Sequence, residues 1–348
     1  MRRASTPLLL LAGLALLVVI LFVTLLYGPV VLPLKDALQA LLPSGTENEM
    51  ATLIVQNIRL PRALLAISVG ALLALCGAVL QGLFRNPLAD PGIIGVSGGA
   101  ALGAGVAIVL LPLFSSKLPP LAQLPEWVSL GYNALSAFIC GMLTTLLVYR
   151  IGRSPFGTSM TLILLAGIAI SAMAFAGLGL LSYLASDQQL RDLSLWQMGS
   201  LAGARWHSVA LAGSTALLLL VYFQRQAPAL NALLLGESEA RHLGIAVEPL
   251  KRYLIVSCAM GIGIGVAVAG MIGFVGLVIP HLVRLVCGPD YRHLLPLSAL
   301  WGAILLLLAD VGARLLAPPA EIPIGIITAL LGAPFFLWLL LQQKRSLP

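Results

Sequence analysis

The residues able to do chemistry are few, and they sit at the edges of apolar runs. Arg59-Leu60-Pro61-Arg62 opens one such run, and Arg314 closes another with Asp310 one helical turn before it. That i, i+4 spacing puts a carboxylate and a guanidinium on one helix face, where they can pair inside a membrane. Guanidinium groups that face water would instead recruit carboxylates of another protein, or snorkel to lipid headgroups. A second group, Leu233-Leu234-Leu235-Gly236-Glu237-Ser238-Glu239-Ala240-Arg241-His242-Leu243-Gly244, interleaves leucines with both signs of charge. It predicts a short amphipathic helix pair, broken at Gly236 and ended by Gly244, and mixed charge suits a protein groove better than anionic lipid. A third, Gln81-Gly82-Leu83-Phe84-Arg85-Asn86-Pro87-Leu88-Ala89-Asp90-Pro91-Gly92, carries two prolines within five residues, which excludes a continuous helix. A broken polar segment at a membrane edge belongs where it is buried in protein or lines a cavity, here as a pathway constriction or, more plainly, a tight turn.

Other chemistries lack their residues. There is no Gly-x-x-x-x-Gly-Lys-Ser/Thr motif, and no lysine is preceded by glycine, so the chain binds no nucleotide by that route. His207, His242, His281 and His293 are dispersed, without metal-ligand spacing. Cys76, Cys140, Cys258 and Cys287 stand singly in apolar runs and read as small buried hydrophobes. Carboxylates are nearly absent from the centres of the apolar runs, Asp310 excepted, where a proton-coupled carrier would show more. No nucleophile–base set for a hydrolase is visible. The expectation is therefore no catalysis, no cofactor and no resident metal, with any energy source on another chain.

The elements that position these groups follow from composition. Of 348 residues 59% are hydrophobic and 9% charged, with a mean hydropathy of +1.02. Soluble domains carry roughly 25% charged residues, so soluble enzymes, nucleic-acid binders and disulfide scaffolds fit poorly. The chain reads as an all-α, polytopic membrane protein. A crossing needs about 20 apolar residues, which places ten spans near 7–27, 61–81, 92–112, 130–150, 159–184, 205–224, 253–271, 274–288, 294–316 and 324–342. The first run, Leu8 to Tyr27, exceeds a signal-peptide core and lacks an A-x-A site, so it is expected to be a span. With both termini cytoplasmic, thirteen Lys and Arg fall inside and seven outside, the distribution expected of that topology. The net charge of +7 is thus read as topology and not as a nucleic-acid face. Glycines at 95, 98 and 99 and at 261, 263 and 265 predict close helix packing. Residues 1–348 read as one transmembrane domain with an inner loop over about 229–252. Spans 2–5 and 7–10 begin on opposite sides, which permits an inverted repeat.

Taken with Gly273-Phe274-Val275-Gly276-Leu277-Val278-Ile279-Pro280-His281-Leu282-Val283-Arg284 and Glu321-Ile322-Pro323-Ile324-Gly325-Ile326-Ile327-Thr328-Ala329-Leu330-Leu331-Gly332-Ala333-Pro334, these segments resemble the iron-chelate and vitamin B12 permease family. Its members are membrane subunits of type II ABC importers, and the likeness runs over essentially the whole chain. The resemblance implies a ten-span permease of the bacterial inner membrane, forming a homodimer around a central path. Two ATPase subunits would bind its inner face and a periplasmic binding protein its outer one. Arg59, Arg62 and Arg314 match basic positions that receive glutamates of the binding protein. Asn86 and Leu88 match a cytoplasmic gate, and Ser159 and Thr161 fall near a second gate at the start of span five. The loop 233–244, with Gly236, Glu237, Ser238, Glu239, Ala240, Arg241, His242, Leu243 and Gly244, matches the helices that enter the ATPase cleft. The stretch from Ser186 to Leu201 looks most like the haem-uptake branch, making haem the leading cargo, ahead of a ferric siderophore and cobalamin. The rival from another class is a secondary carrier that needs no ATPase.

Overall fold

A chain this apolar must satisfy its backbone polar groups internally when lipid surrounds it, and helices do so within one segment. The computed structural model describes residues 6–28, 30–42, 48–86, 89–112, 126–155, 157–318 and 320–345. In chain order its elements are α1 (Thr6–Leu26), α2 (Leu34–Gln39), α3 (Glu49–Leu83), α4 (Val96–Leu110), α5 (Glu126–Gly152), a two-stranded hairpin of β1 (Arg153–Ser154) and β2 (Gly157–Thr158), α6 (Met160–Leu184), α7 (Asp187–Met198), α8 (Trp206–Leu235), α9 (Glu237–His242), α10 (Val247–Ala269), α11 (Val275–Cys287), α12 (Tyr291–Leu315) and α13 (Ile324–Arg345). Among the described residues, seven helices are long and apolar enough to cross a membrane, and α4, α11 and α13 supply three shorter apolar segments. These ten coincide with the ten runs expected from the sequence.

Two boundaries differ most from expectation. The second span begins earlier, at Glu49, and passes through a π-helical turn at Ile54–Arg59 before Leu60. The sixth does not stop near 224. It continues through Arg225 and Pro228 to Leu235, so the inner loop is shorter than read and its first seven residues are helix. Phe223, Ala227, Leu230 and Leu233 are all buried, so the apolar face keeps its helical period past the charged residues.

The chain forms two compact units. The first comprises residues 1–78, 200–228 and 272–348. Within it α3 touches α12 and α11 backbone to backbone. A Cβ on Gly70 would lie 2.3 Å from Gly302 O, and one on Gly77 would lie 1.9 Å from Gly276 O. Hydrogen in place of a side chain is what lets these helices approach so closely in lipid. The Tyr291 hydroxyl, fully buried, donates to Ala78 O at 3.1 Å and ties the start of α12 to α3.

The second unit comprises residues 79–199 and 229–271. Its centre is the small-residue helix α4, where Gly103 lets Ser136 O of α5 approach to 2.3 Å of a would-be Cβ. The amphipathic α7 starts at a capping box, Ser186 with Gln189. It buries Leu193 against Ala101 and Leu178. In this division the second span is grouped with spans eight to ten, and the seventh with spans three to five.

Candidate functional site

The first constellation lies wholly in the first unit. The π turn ends at Arg59, and Arg62 follows on the first turn of regular α3. Arg62 Nε donates to Asp310 Oδ1 at 2.8 Å, and its Nη1 donates to both oxygens of Glu321, at 2.9 and 2.8 Å. Asp310 Oδ2 lies 3.1 Å from Arg314 Nε, as the i, i+4 spacing predicts. Arg314 Nη1 reaches Tyr27 O at 3.4 Å. Arg59 Nη1 donates to Leu25 O at 2.6 Å, and its Nη2 donates to Val30 O.

These guanidinium groups do not face water as the docking expectation required. Arg59 is 4% exposed, Arg62 6%, Arg314 4% and Asp310 0%. The reason is electrostatic. A desolvated carboxylate is costly alone, so Asp310 draws in both Arg62 and Arg314, each through a charge-assisted hydrogen bond or ion pair. Two guanidinium groups, Arg62 and Arg314, thus meet the two carboxylates Asp310 and Glu321, while Arg59 is held by the backbone carbonyls of Leu25 and Val30 and adds a third positive charge to the cluster. Arg314 Nη2 is buried without a hydrogen-bond partner among the described residues. Glu321, whose side chain is 34% exposed, marks the wet rim. The arrangement can accept one further anionic group, for instance a carboxylate arriving from solvent.

The second constellation lies wholly in the second unit. Gly236 has φ +137°, a conformation that only glycine adopts without strain, and it breaks the chain between α8 and α9. Ala240 is fully buried and anchors α9, while Ser238, Glu239, Arg241, His242 and Leu243 are exposed. The segment Gly236–Gly244 is therefore a ledge on the surface of the unit and is not sunk among helices. Beneath it Lys251, assigned from sequence only to the set of inner cations, is buried with Glu237 Oε1 2.6 Å from its Nζ.

The expected gate residues are in this unit too. Asn86 is exposed, after a turn in which Arg85 takes φ +48°. Leu88 lies outside the described residues. Asp90 accepts the Gly92 N–H at 2.7 Å; burial pushes its carboxyl above the usual carboxylate range, and that hydrogen bond opposes the rise. Ser159 caps α6, its Oγ accepting the Leu162 N–H at 3.3 Å, and Thr161 is exposed one residue into the helix. Thr158, next to Ser159, donates both its N–H and its hydroxyl to Glu248 Oε2, at 2.9 and 2.5 Å.

The structure thus brings together Arg62 and Arg314 around Asp310, and it places Gly236–Gly244, Asn86, Ser159 and Thr161 in the other unit. It adds Glu321, Thr158, Glu248 and Lys251, none of which the sequence reading singled out as site residues. The Glu248–Lys251 spacing of three was a usable signal. Glu321 offered none, since its partner lies 259 residues away.

The profile described as the FecCD transport family matches residues 16–342. The chain is 48% identical over 290 residues to the hemin transport system permease protein HmuU of Yersinia pestis, covering 83% of this chain and 84% of that one. It is 46% identical over 310 residues to the vitamin B12 import system permease protein BtuC of Salmonella arizonae, covering 88% of each. Among solved structures it superposes on a metal-chelate type ABC transporter in an inward-facing conformation, with TM-score 0.81, 34% identity and 97% and 99% of the two chains covered. The chain belongs to the FecCD transport family, as a multi-span permease subunit of an ABC importer.

Proposed function

We propose that this permease moves haem from the periplasm to the cytoplasm of a bacterial cell. It does so as a homodimer in the inner membrane, with two ATPase subunits and a periplasmic binding protein. The observation that carries the cargo assignment is the 48% identity to a hemin transport permease along 84% of that protein's length. Cobalamin is the second reading, favoured by the relative at 46% identity, and a ferric siderophore is the third.

In this reading residues 1–348 act as one permease domain with both termini cytoplasmic. Spans 2–5 and 7–10 form an inverted repeat with exchanged leading helices, supported by the grouping of span two with spans eight to ten and of span seven with spans three to five. Arg59, Arg62 and Arg314 receive the binding protein. An incoming carboxylate takes the place of the half-exposed Glu321 on Arg62 and meets the unpartnered Nη2 of Arg314. Gly236–Gly244, within the cytoplasmic coupling segment 229–252, enters the ATPase, and its exposed ledge supports that role. Asn86, Leu88, Ser159 and Thr161 line the cytoplasmic constriction. ATP-driven closure of the ATPase pair then moves the permease between outward- and inward-facing states.

The test is ATP hydrolysis by the complex reconstituted in proteoliposomes, with the binding protein supplied empty, haem-loaded or cobalamin-loaded. Stimulation by the haem-loaded protein, with haem accumulating inside, is the expected result. Stimulation by the cobalamin-loaded protein alone moves the assignment to the second reading.

A further inference from the structure

Three segments of the second unit close on one buried ammonium group. Lys251 Nζ lies 2.6 Å from Glu237 Oε1 on α9 and 3.4 Å from Glu248 Oε1 one turn earlier on its own helix. It also donates to Thr158 O, at the end of the hairpin, at 3.2 Å. Glu248 grips Thr158 from the other side through its second oxygen, accepting the N–H and the hydroxyl. The lysine side chain is 2% exposed, whereas both glutamates are 37% exposed.

A cation so placed cannot let its partners go without leaving an uncompensated buried charge. Displacement of α9 would strip the ammonium of its nearest carboxylate and leave only Glu248, at 3.4 Å, so the movement draws on Lys251 and, through it, on Thr158. Thr158 is bonded directly to Ser159, the cap of α6, so the pull reaches the first turn of that helix. Gly236 at φ +137° and Gly244 at φ +81° bracket α9 and give it backbone pivots. A polar cavity of about 430 Å³ beside the knot, lined in part by Arg153, Arg241, Arg252 and Tyr253, leaves the hairpin room to shift. Lysine suits the task because its ammonium is a point charge that keeps an oxygen partner through a rotation, which a planar guanidinium fork does less well.

We propose that Lys251 is a positioning residue for transport: it transmits the movement of α9 to the start of α6, and so to Ser159 and Thr161. The proposal rests on the reading of Gly236–Gly244 as the ATPase-coupling ledge.

The experiment uses the full complex with its ATPase. Thr161→Cys is labelled with a membrane-impermeant maleimide, nucleotide-free and vanadate-trapped, with the parent lacking that cysteine as background. The ratio of the two rates reports movement at α6 without reference to cargo. With Lys251 present it should change about tenfold. In Lys251→Met the ATPase should stay bound and hydrolyse ATP at its basal rate while the ratio falls to near one, and Lys251→Arg should restore part of the change. Should Lys251→Met fail to accumulate, Glu248→Gln keeps the lysine and its 2.6 Å contact to Glu237, weakens the grip on Thr158 and the 3.4 Å contact to the ammonium, and should give an intermediate ratio. An unchanged ratio in Lys251→Met, or in Glu248→Gln where that variant replaces it, overturns the proposal. The underlying coupling reading is tested separately by Leu243→Glu, which should release the ATPase. Retention of the ATPase by that variant would contradict the ledge and not the knot.

Discussion

Two buried ionic clusters, one in each unit, use the same charges for different ends. Around Asp310 the partners are guanidinium groups on long, closely packed helices, and the central carboxylate has no exposure. Arginine's planar fork fixes direction as well as distance, so this cluster holds α3 at Arg62 against the end of α12 in one geometry. Around Lys251 the central group is a cation, and its carboxylates are 37% exposed on a six-residue helix and on the first turn of α10. One cluster is a lock with Glu321 at its wet rim; the other is a joint whose outer parts can move while the ammonium keeps its company. The difference teaches that a buried charge can serve either rigidity or transmission, depending on whether its partners sit on packed helices or on a surface ledge.

The comparison can be broken most severely at Asp310. Asp310→Asn leaves Arg62 and Arg314 buried without their shared counter-ion and should destabilise the permease by about 3–5 kcal/mol. Thermal unfolding of the detergent-solubilised protein would register it. Lys251→Met should cost less, roughly 1–2 kcal/mol, because the half-exposed glutamates it abandons can be rehydrated. The same melting measurement ranks the two, and the reverse order would dissolve the distinction between lock and joint. Glu321→Gln should cost about 1 kcal/mol or less, since its carboxylate lies at the rim. It should tighten binding-protein docking at low salt by freeing Arg62 Nη1, as read by surface binding to the reconstituted permease. Arg241→Ala should change stability by less than about 0.5 kcal/mol, because its pairs with Glu237 and Glu248 are 3.9 Å long and the arginine is largely exposed.

Much of this was legible in the sequence. Ten apolar runs stood out because lipid demands length and leaves little room for charge, and the break after Leu83 followed from Pro87 and Pro91. The Asp310–Arg314 pair was readable because it is local. The inward turn of Arg62 was not, because its carboxylates lie 248 and 259 residues away, and no periodicity spans that separation. The helical run to Leu235 was hidden by Arg225 and Pro228, which mark a membrane edge without marking a helix end. Lys251 was counted with the topology cations because its burial depends on α9 folding back over it.

In this reading the permease is a conduit moved by a motor on another chain. Haem uptake into proteoliposomes should be measured with the permease alone, with the ATPase and binding protein added, and with ATP present or withheld. Uptake only in the complete, ATP-supplied system is the predicted result. Haem accumulation by the permease alone, down its gradient or driven by a proton gradient, would contradict the account at its root.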